Sequence, residues 1–469
     1  MPVPCIRLAW VILVAALWLC VACEPGERRS QGDPRQVASV AEALQSIREA
    51  PDTNVLFVLI DTLRADRLSA YGYPRETSPT LDYMAGTGIR FANHLSQSTW
   101  TKTSMASLWT GLYPVRTQVL YSRDALPPEA TLPAEIFRDA GFRTAGVWRN
   151  GWVASNFGFR QGFEVYHRPQ VRHTRRVGVK RDNPHATLEG TDEDVVDTAI
   201  EFLRTYGRER WFLYVHLMDV HQYLYDVNTA LFGSSYSDIY DNSILHTDNI
   251  VGRLLTYLAD EDLLQKTLVV WTSDHGEAFS ERGFEGHARH VYRETTEVPF
   301  VLGLPFVLNP GLVVPNRTRN VDVWPTVLDL LGLPALPDTD GRSLLPQLLA
   351  AARNETIDDG GPGFAHLVRG WGRADEPDMP AVAVVDRDFR FVVERERGKV
   401  MREELFDRSQ DRLEQRDVRV QHPEVASRLR ELVTRYFESE PAPWGVDTPR
   451  VEIDQMELNQ LRALGYAVP

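Results

Sequence analysis

Three apolar runs set the rhythm of the chain: residues 54–60 (Asn-Val-Leu-Phe-Val-Leu-Ile), 211–217 (Trp-Phe-Leu-Tyr-Val-His-Leu) and 267–272 (Thr-Leu-Val-Val-Trp-Thr). Each has strand length and little alternation with polar positions, the pattern of a parallel strand covered on both faces. Around them the apolar spacing lengthens to that of amphipathic helices, over 37–50, 131–140, 194–206, 240–259, 322–332 and 423–437. Residues 141–147 add a glycine turn and a further strand, and 299–308 another apolar segment. Alternation of this kind predicts βαβ units, hence an α/β fold with a mixed, mostly parallel sheet flanked by helices. Residues 351–375, rich in charge, Gly and Pro, read as a linker or irregular insertion. Residues 381–394 alternate about the turn Asp386-Arg387-Asp388, which predicts a small antiparallel sheet in a C-terminal α+β subdomain. The expected plan is a leader over 1–23, a tether and short helix over 24–50, a main domain over 51–335 and a subdomain over 336–469.

The N-terminus bears on where the chain works. An apolar run over 8–23, preceded by Arg7, has the layout of a secretory signal and is short for a membrane span. It ends in Leu19-Cys20-Val21-Ala22-Cys23, which resembles the bacterial lipobox, with Cys20 where Leu is usual. A lipoprotein, a plainly cleaved signal and an uncleaved anchor all fit this layout. The expectation is export to a bacterial cell envelope, with membrane attachment through an N-terminal lipid or a signal anchor. Residues 24–36 are polar and breaker-rich, as a flexible tether would be. All three cysteines, Cys5, Cys20 and Cys23, lie in the leader, which leaves the mature domain neither a disulfide nor a cysteine nucleophile.

A formal net charge of −14 argues against non-specific nucleic-acid binding, which needs a basic face to displace counterions. The stretch 168–194, with His173-Thr174-Arg175-Arg176 and Lys180-Arg181, is locally basic. It reads as a surface loop that either draws in an anionic substrate or is simply solvated.

Candidate chemistry sits at the ends of the strand runs. They lead into Asp61, into Asp219 and His221, and into Asp274-His275. Ligands of open α/β sheets collect beyond the carboxyl ends of the strands, so convergence there is more than helix capping would produce. The stretch Ser98 to Gly111 is a hydroxyl-rich turn entering a helix. Its Thr101 is either an N-cap or a nucleophile facing an anionic ester held at the helix start.

In this order Asp61, Thr101 to Gly111, His221, Asp274-His275 and His287 resemble the sulfatase family of the alkaline-phosphatase superfamily. Flanking likenesses are Tyr71-Gly72-Tyr73, Thr110-Gly111-Leu112-Tyr113-Pro114, Glu297-Val298-Pro299, Gly341-Arg342-Ser343-Leu344 and the closing Leu461 to Tyr466. The resemblance implies an alkaline-phosphatase-like fold and a metal-dependent esterase. The family's nucleophile is a Cys or Ser oxidised to formylglycine, followed at fixed distances by Pro, Ser and Arg. Counting back from Thr110-Gly111, those positions hold Thr101, Thr103, Ser104 and Met105. Oxidising a Thr β-carbon would give a ketone and not an aldehyde, so a formylglycine is not expected. Thr is the nucleophile of related phosphoglycerol and phosphoethanolamine transferases.

The resemblance further implies that Asp61, Thr101, Asp274 and His275 hold one divalent metal ion. With Thr62 in place of the family's second Asp and with an imidazole in the set, Mn²⁺ or Zn²⁺ is favoured over Ca²⁺. His221 and His287 match positions that contact the anionic group or protonate the leaving oxygen. Lys102 either adds positive charge there or is solvated. His216 reads as a core or supporting residue.

The expected function is hydrolysis or transfer of phosphate or sulfate esters through a covalent Thr intermediate. The substrate would be an anionic ester on a glycan or lipid head group. Two alternatives are a sulfuric ester hydrolase proper and an inactive membrane-tethered binder of anionic glycans or lipids, the latter motivated by Met105 and Thr62.

Overall fold

A computed structural model describes residues 40–171, 190–355, 357, 360–369, 378–442 and 444–453. Residues 1–36, on which the leader and tether were expected, most of the basic 168–194 stretch and the closing 461–466 lie outside them. No helix among the described residues is long and apolar enough to cross a membrane.

The strands, in chain order, are β1 (Asn54–Ile60), β2 (Ile89–Leu95), β3 (Arg143–Val147), β4 (Val165–His167), β5 (Trp211–Leu217), β6 (Thr267–Thr272) and β7 (Ala278–Phe279). They continue with β8 (Glu285–Gly286), β9 (Phe300–Gly303), β10 (Leu312–Arg319), β11 (Gly363–Arg369), β12 (Met379–Asp386), β13 (Phe389–Glu396) and β14 (Lys399–Asp407). One eight-stranded sheet runs β10-β2-β9-β6-β1-β5-β3-β4. All its neighbours pair in parallel except those of β9, which runs against both β6 and β2. The mixed, mostly parallel α/β expectation therefore holds.

Register carries the site. Ile60 lies beside Leu217, and Leu59 lies beside both His216 and Thr272. One residue further on, Asp61 and Met218 leave the sheet at one level, with Asp274 beside them. Alternation along β1 builds the two covered faces. Phe57 packs on one side against Trp109, Tyr214 and Trp324 at ring distances of 5.6, 5.5 and 4.9 Å. Leu56, Val58 and Ile60 pack on the other with the helices Asp192–Tyr206 and Tyr236–Asp260. At roughly 1.5–3 kcal/mol for each large apolar side chain buried, this two-sided burial fixes the strand ends rigidly.

The small sheet, β11-β12-β13-β14, is antiparallel and packs on the helix Pro423–Phe437. It is tied to the large sheet near the site. His366 N donates to Gln97 O at 2.8 Å, and Arg390 donates to Thr296 Oγ1 at 2.9 Å.

The three long runs become strands with the bounds the pattern predicts. The structure also reveals β2, β10, β11 and β14, which the pattern does not single out. β2 (IRFANHL) and β10 (LVVPNRTR) carry polar residues, and β10 is bulged between Val314 and Arg317. β11 lies inside the stretch read as a linker, because its neighbours' charge and glycine content masks seven strand residues. The helix expected from 240 begins at Tyr236, where Ser235 and Asp238 exchange reciprocal hydrogen bonds as a capping box.

Candidate active site

Three buried groups meet where β1 and β6 end. One ligand atom each from Asp61, Asp274 and His275 lies within 4.8 Å of the other two. Asp61 Oδ2 is occupied by Asn150 Nδ2 at 2.7 Å and His216 Nε2 at 3.1 Å. Asp274 Oδ1 accepts the backbone N–H groups of Thr62 (3.2 Å) and His275 (2.9 Å). The other carboxylate oxygens, Asp61 Oδ1 and Asp274 Oδ2, are buried with no hydrogen-bond partner among the described residues. They lie 3.9 and 3.2 Å from His275 Nε2.

His275 Nδ1 donates to Gly276 O at 3.0 Å, which leaves the Nε2 lone pair directed at the two oxygens. Burial alone would raise Asp61, yet His221 and the His216 hydrogen bond hold it well below the usual carboxylate range. Burial and the adjacent Asp61 push Asp274 up. Two carboxylate oxygens without donors, opposed by an imidazole lone pair, are a donor set that a divalent cation fits.

Thr101 completes the cluster. Its Oγ1 is 3.2 Å from His275 Nε2 and 3.3 Å from Asn150 Nδ2. Thr101 is the first residue of the helix Thr101–Thr110, and the N-cap is Trp100, with no side chain capping the helix. The capping reading of Thr101 is thereby set aside, and the positive end of the helix faces the site. Of the neighbouring hydroxyls, Thr103 Oγ1 donates to Val119 O at 2.8 Å and Ser104 Oγ to Asp274 O at 2.6 Å, while Ser98 Oγ and Thr99 Oγ1 are buried with no hydrogen-bond partner among the described residues.

Two further imidazoles lie beside the cluster. The His287 ring lies 4.6 Å from that of His275 and 4.9 Å from that of His221, tilted to both. Glu277 holds His287 Nδ1 at 3.3 Å. Against the lowering effect of burial, Glu277 raises His287 above the ordinary imidazole value. Burial pushes His221 down to about 3, with Asp61 the main opposing pull.

A Sulfatase family model matches residues 53–333, more than half of the chain and all of the residues just described. The chain belongs to the sulfatase family. Among sulfatase-family relatives, human arylsulfatase K is 25% identical over 409 residues, 74% of this chain and 73% of its own. The N-acetylgalactosamine-6-O-sulfatase of Bacteroides thetaiotaomicron is 24% identical over 478 residues, 81% of this chain and 92% of its own. The crystal structure of the phosphonate monoester hydrolase of Agrobacterium radiobacter superposes with a TM-score of 0.64 at 18% identity, covering 82% of this chain and 95% of the other.

Departures from the family signature now have a structural account. Met105, at the Arg position, is fully buried in the core cluster. Thr62, at the second Asp position, turns its hydroxyl back onto Asp61 O at 2.7 Å. Its φ of 61° is a strained value for a β-branched residue, of the kind that collects at functional sites.

Lys102 corrects the sequence reading. It is neither solvated nor placed for an anion, since its Nζ donates to Ser122 O at 2.6 Å and Asp124 O at 2.8 Å. The rings of Trp100, Trp152 and Phe157 enclose it at 5.4, 5.0 and 4.2 Å, and burial lowers its pKa well below that of a free lysine. It pins the Ser122–Asp124 turn against the helix.

Two residues escape the sequence reading. Asn150 bridges Asp61 and Thr101. Arg149 joins Asp192 (3.0 Å) and Asp219 (2.6 Å), bracing the segment that leads to His221. Both follow β3, so the strand-end rule that flagged Asp61 would have found them had it been applied to that strand.

Proposed function

We propose that this sulfatase-family protein cleaves or transfers phosphate or sulfate esters through a covalent bond to Thr101. The observation that carries this is the placement of Thr101 Oγ1 against His275 and Asn150, beside two carboxylate oxygens that lack donors. Asp61, Asp274, His275 and Thr101 would hold one divalent cation, with Mn²⁺ or Zn²⁺ favoured by a mixed oxygen and nitrogen set. When bound, the cation supplies positive charge beside the hydroxyl and the ester oxygens.

The chain's own residues account for the rest. Asn150 orients the Thr101 hydroxyl, and the uncapped helix start offers its dipole to the ester's non-bridging oxygens. Thr101 gives up its hydroxyl proton to water, and attack by Oγ1 forms the Oγ1–P or Oγ1–S bond and breaks the bond to the leaving alcohol. His287, held by Glu277, donates the proton to that oxygen. Water or an acceptor alcohol then releases the group from Thr101.

Phosphate-ester chemistry fits a Thr nucleophile, while the relatives' names favour sulfate-ester hydrolysis as the second reading. Intact-protein mass spectrometry after exposure to an aryl ester tests the covalent step. A mass gain mapped to Thr101 supports it, and a gain at any other residue rejects it. Phosphoryl and sulfuryl groups add nearly the same mass, so turnover of aryl sulfate, phosphate and phosphonate esters in parallel identifies the group. Sulfate turnover alone would select the second reading.

A further inference from the structure

A cavity of about 590 Å³ opens between β2, β10 and the small sheet, sharing no lining residue with the Thr101 cluster. Its volume lies within the range of pockets that enclose a small organic ligand. Five guanidinium groups line it, from Arg293, Arg317, Arg387, Arg408 and Arg412. Against them stand the carboxylates of Asp66, Glu297 and Asp388. On a chain with a net charge of −14, this local surplus of positive charge runs counter to the whole.

The arginines are held by the architecture. Arg293 is only 5% exposed and shares its guanidinium between Asp66 at 3.2 Å and Glu297 at 3.5 Å. Its Nε has no hydrogen-bond partner among the described residues. The bulge in β10 brings Arg317 beside Asn93, and Arg317 donates to the carbonyl oxygens of Arg387 (2.5 Å) and Gly361 (3.3 Å). Arg387 sits at the β12–β13 turn with φ 51°, in the left-handed region that a non-glycine residue enters at a cost. Arg387 and Arg412 are exposed, and neither forms an ion pair with a carboxylate among the described residues. Arg387 and Arg412 line the same cavity as Arg293, which is paired with Asp66 and Glu297, and Arg317, which donates to carbonyl oxygens, and planar guanidinium donors bind a tetrahedral oxyanion in bidentate fashion.

We propose that this cavity binds a sulfate or phosphate group, free or carried on a sugar, at a site separate from Thr101. The test uses the full chain, with phenylglyoxal labelling of Arg387 and Arg412 read by peptide mass spectrometry. Potassium sulfate, potassium phosphate, a sulfated disaccharide, and potassium chloride at matched ionic strength are compared. Saturable, severalfold protection of both arginines by an oxyanion and not by chloride is expected, and it should persist in Thr101→Ala. Protection by the disaccharide at far lower concentration than by the ions assigns the site to a sugar-borne group, and equal concentrations assign it to the free ion. A parallel thermal-melt titration of Arg387→Gln/Arg412→Gln should show the oxyanion bound about tenfold or more weakly than by the parent. Equal protection by chloride, no protection, or an unchanged titration in the double variant would overturn the proposal.

Discussion

A threonine hydroxyl is a poor nucleophile until something takes or stabilises its proton, so the reactivity of Thr101 depends on its neighbours. Replacing Thr101 with Ala should lower kcat/KM by about a thousandfold or more while the melting temperature stays near that of the parent. Thr101→Ser should keep part of the rate. Full turnover by the Ala variant would remove Thr101 from the chemistry. Asn150→Ala should cost about 10²–10³ in kcat, as loss of an orienting donor does at other preorganised sites. An effect confined to KM would instead make Asn150 a substrate contact.

At this scale the meeting of Asp61, Asp274 and His275 was legible in the sequence from strand ends and family spacing, and the place of Thr101 beside them from family spacing alone. Asn150 was legible only through its place three residues beyond β3, since a single Asn carries no spacing signal of its own. Lys102 was misread because its cage includes Trp152 and Phe157, fifty or more residues away, which sequence neighbourhood cannot show.

Elements place these residues, and the segment 293–297 does much of the placing. Gly276 N donates to Thr295 O at 3.0 Å, and a Cβ on Gly276 would meet the Glu294 carbonyl oxygen well inside contact distance. Gly276→Ala should therefore destabilise the fold by roughly 1–3 kcal/mol and loosen metal binding through His275. Denaturant melts and metal titration check this, and no change in either would show that the segment moves freely.

β2 and β10 are joined by His94, which contacts Thr318 Oγ1 and Asn320 Oδ1, both at 2.8 Å. Burial pushes His94 down to about 4, partly offset by the Asn320 hydrogen bond and Asp322. The unfolded chain binds this proton first, so the contribution is whole above about pH 6.5 and is lost as pH falls toward 4, by up to about 3 kcal/mol. His94→Gln should flatten that part of the stability–pH curve, and superimposable curves would refute the assignment. The mixed polarity that makes β2 and β10 useful here is also what kept them out of the strand pattern. β1, β5 and β6, buried on both faces, had no such ambiguity.

For the whole molecule, a bound cation is also a stability term. Saturation at a hundredfold excess over Kd is worth about 2.7 kcal/mol, so chelation should lower the melting temperature by a few degrees and abolish turnover together. Mn²⁺ or Zn²⁺ should restore both better than Ca²⁺. Best recovery with Ca²⁺ would point to a site dominated by oxygen.

The general architecture was readable from the alternation of runs and helices. The attachment of the small sheet was not, because it rests on long-range contacts such as His366 with Gln97. Beyond residue 23 the chain contains no cysteine, and Thr101 is fully buried between an imidazole and an amide. A cysteine substituted there, in a chain without residues 1–23, would be the molecule's sole thiol. Its alkylation rate would then report, without any substrate, how often this buried position becomes accessible to solvent.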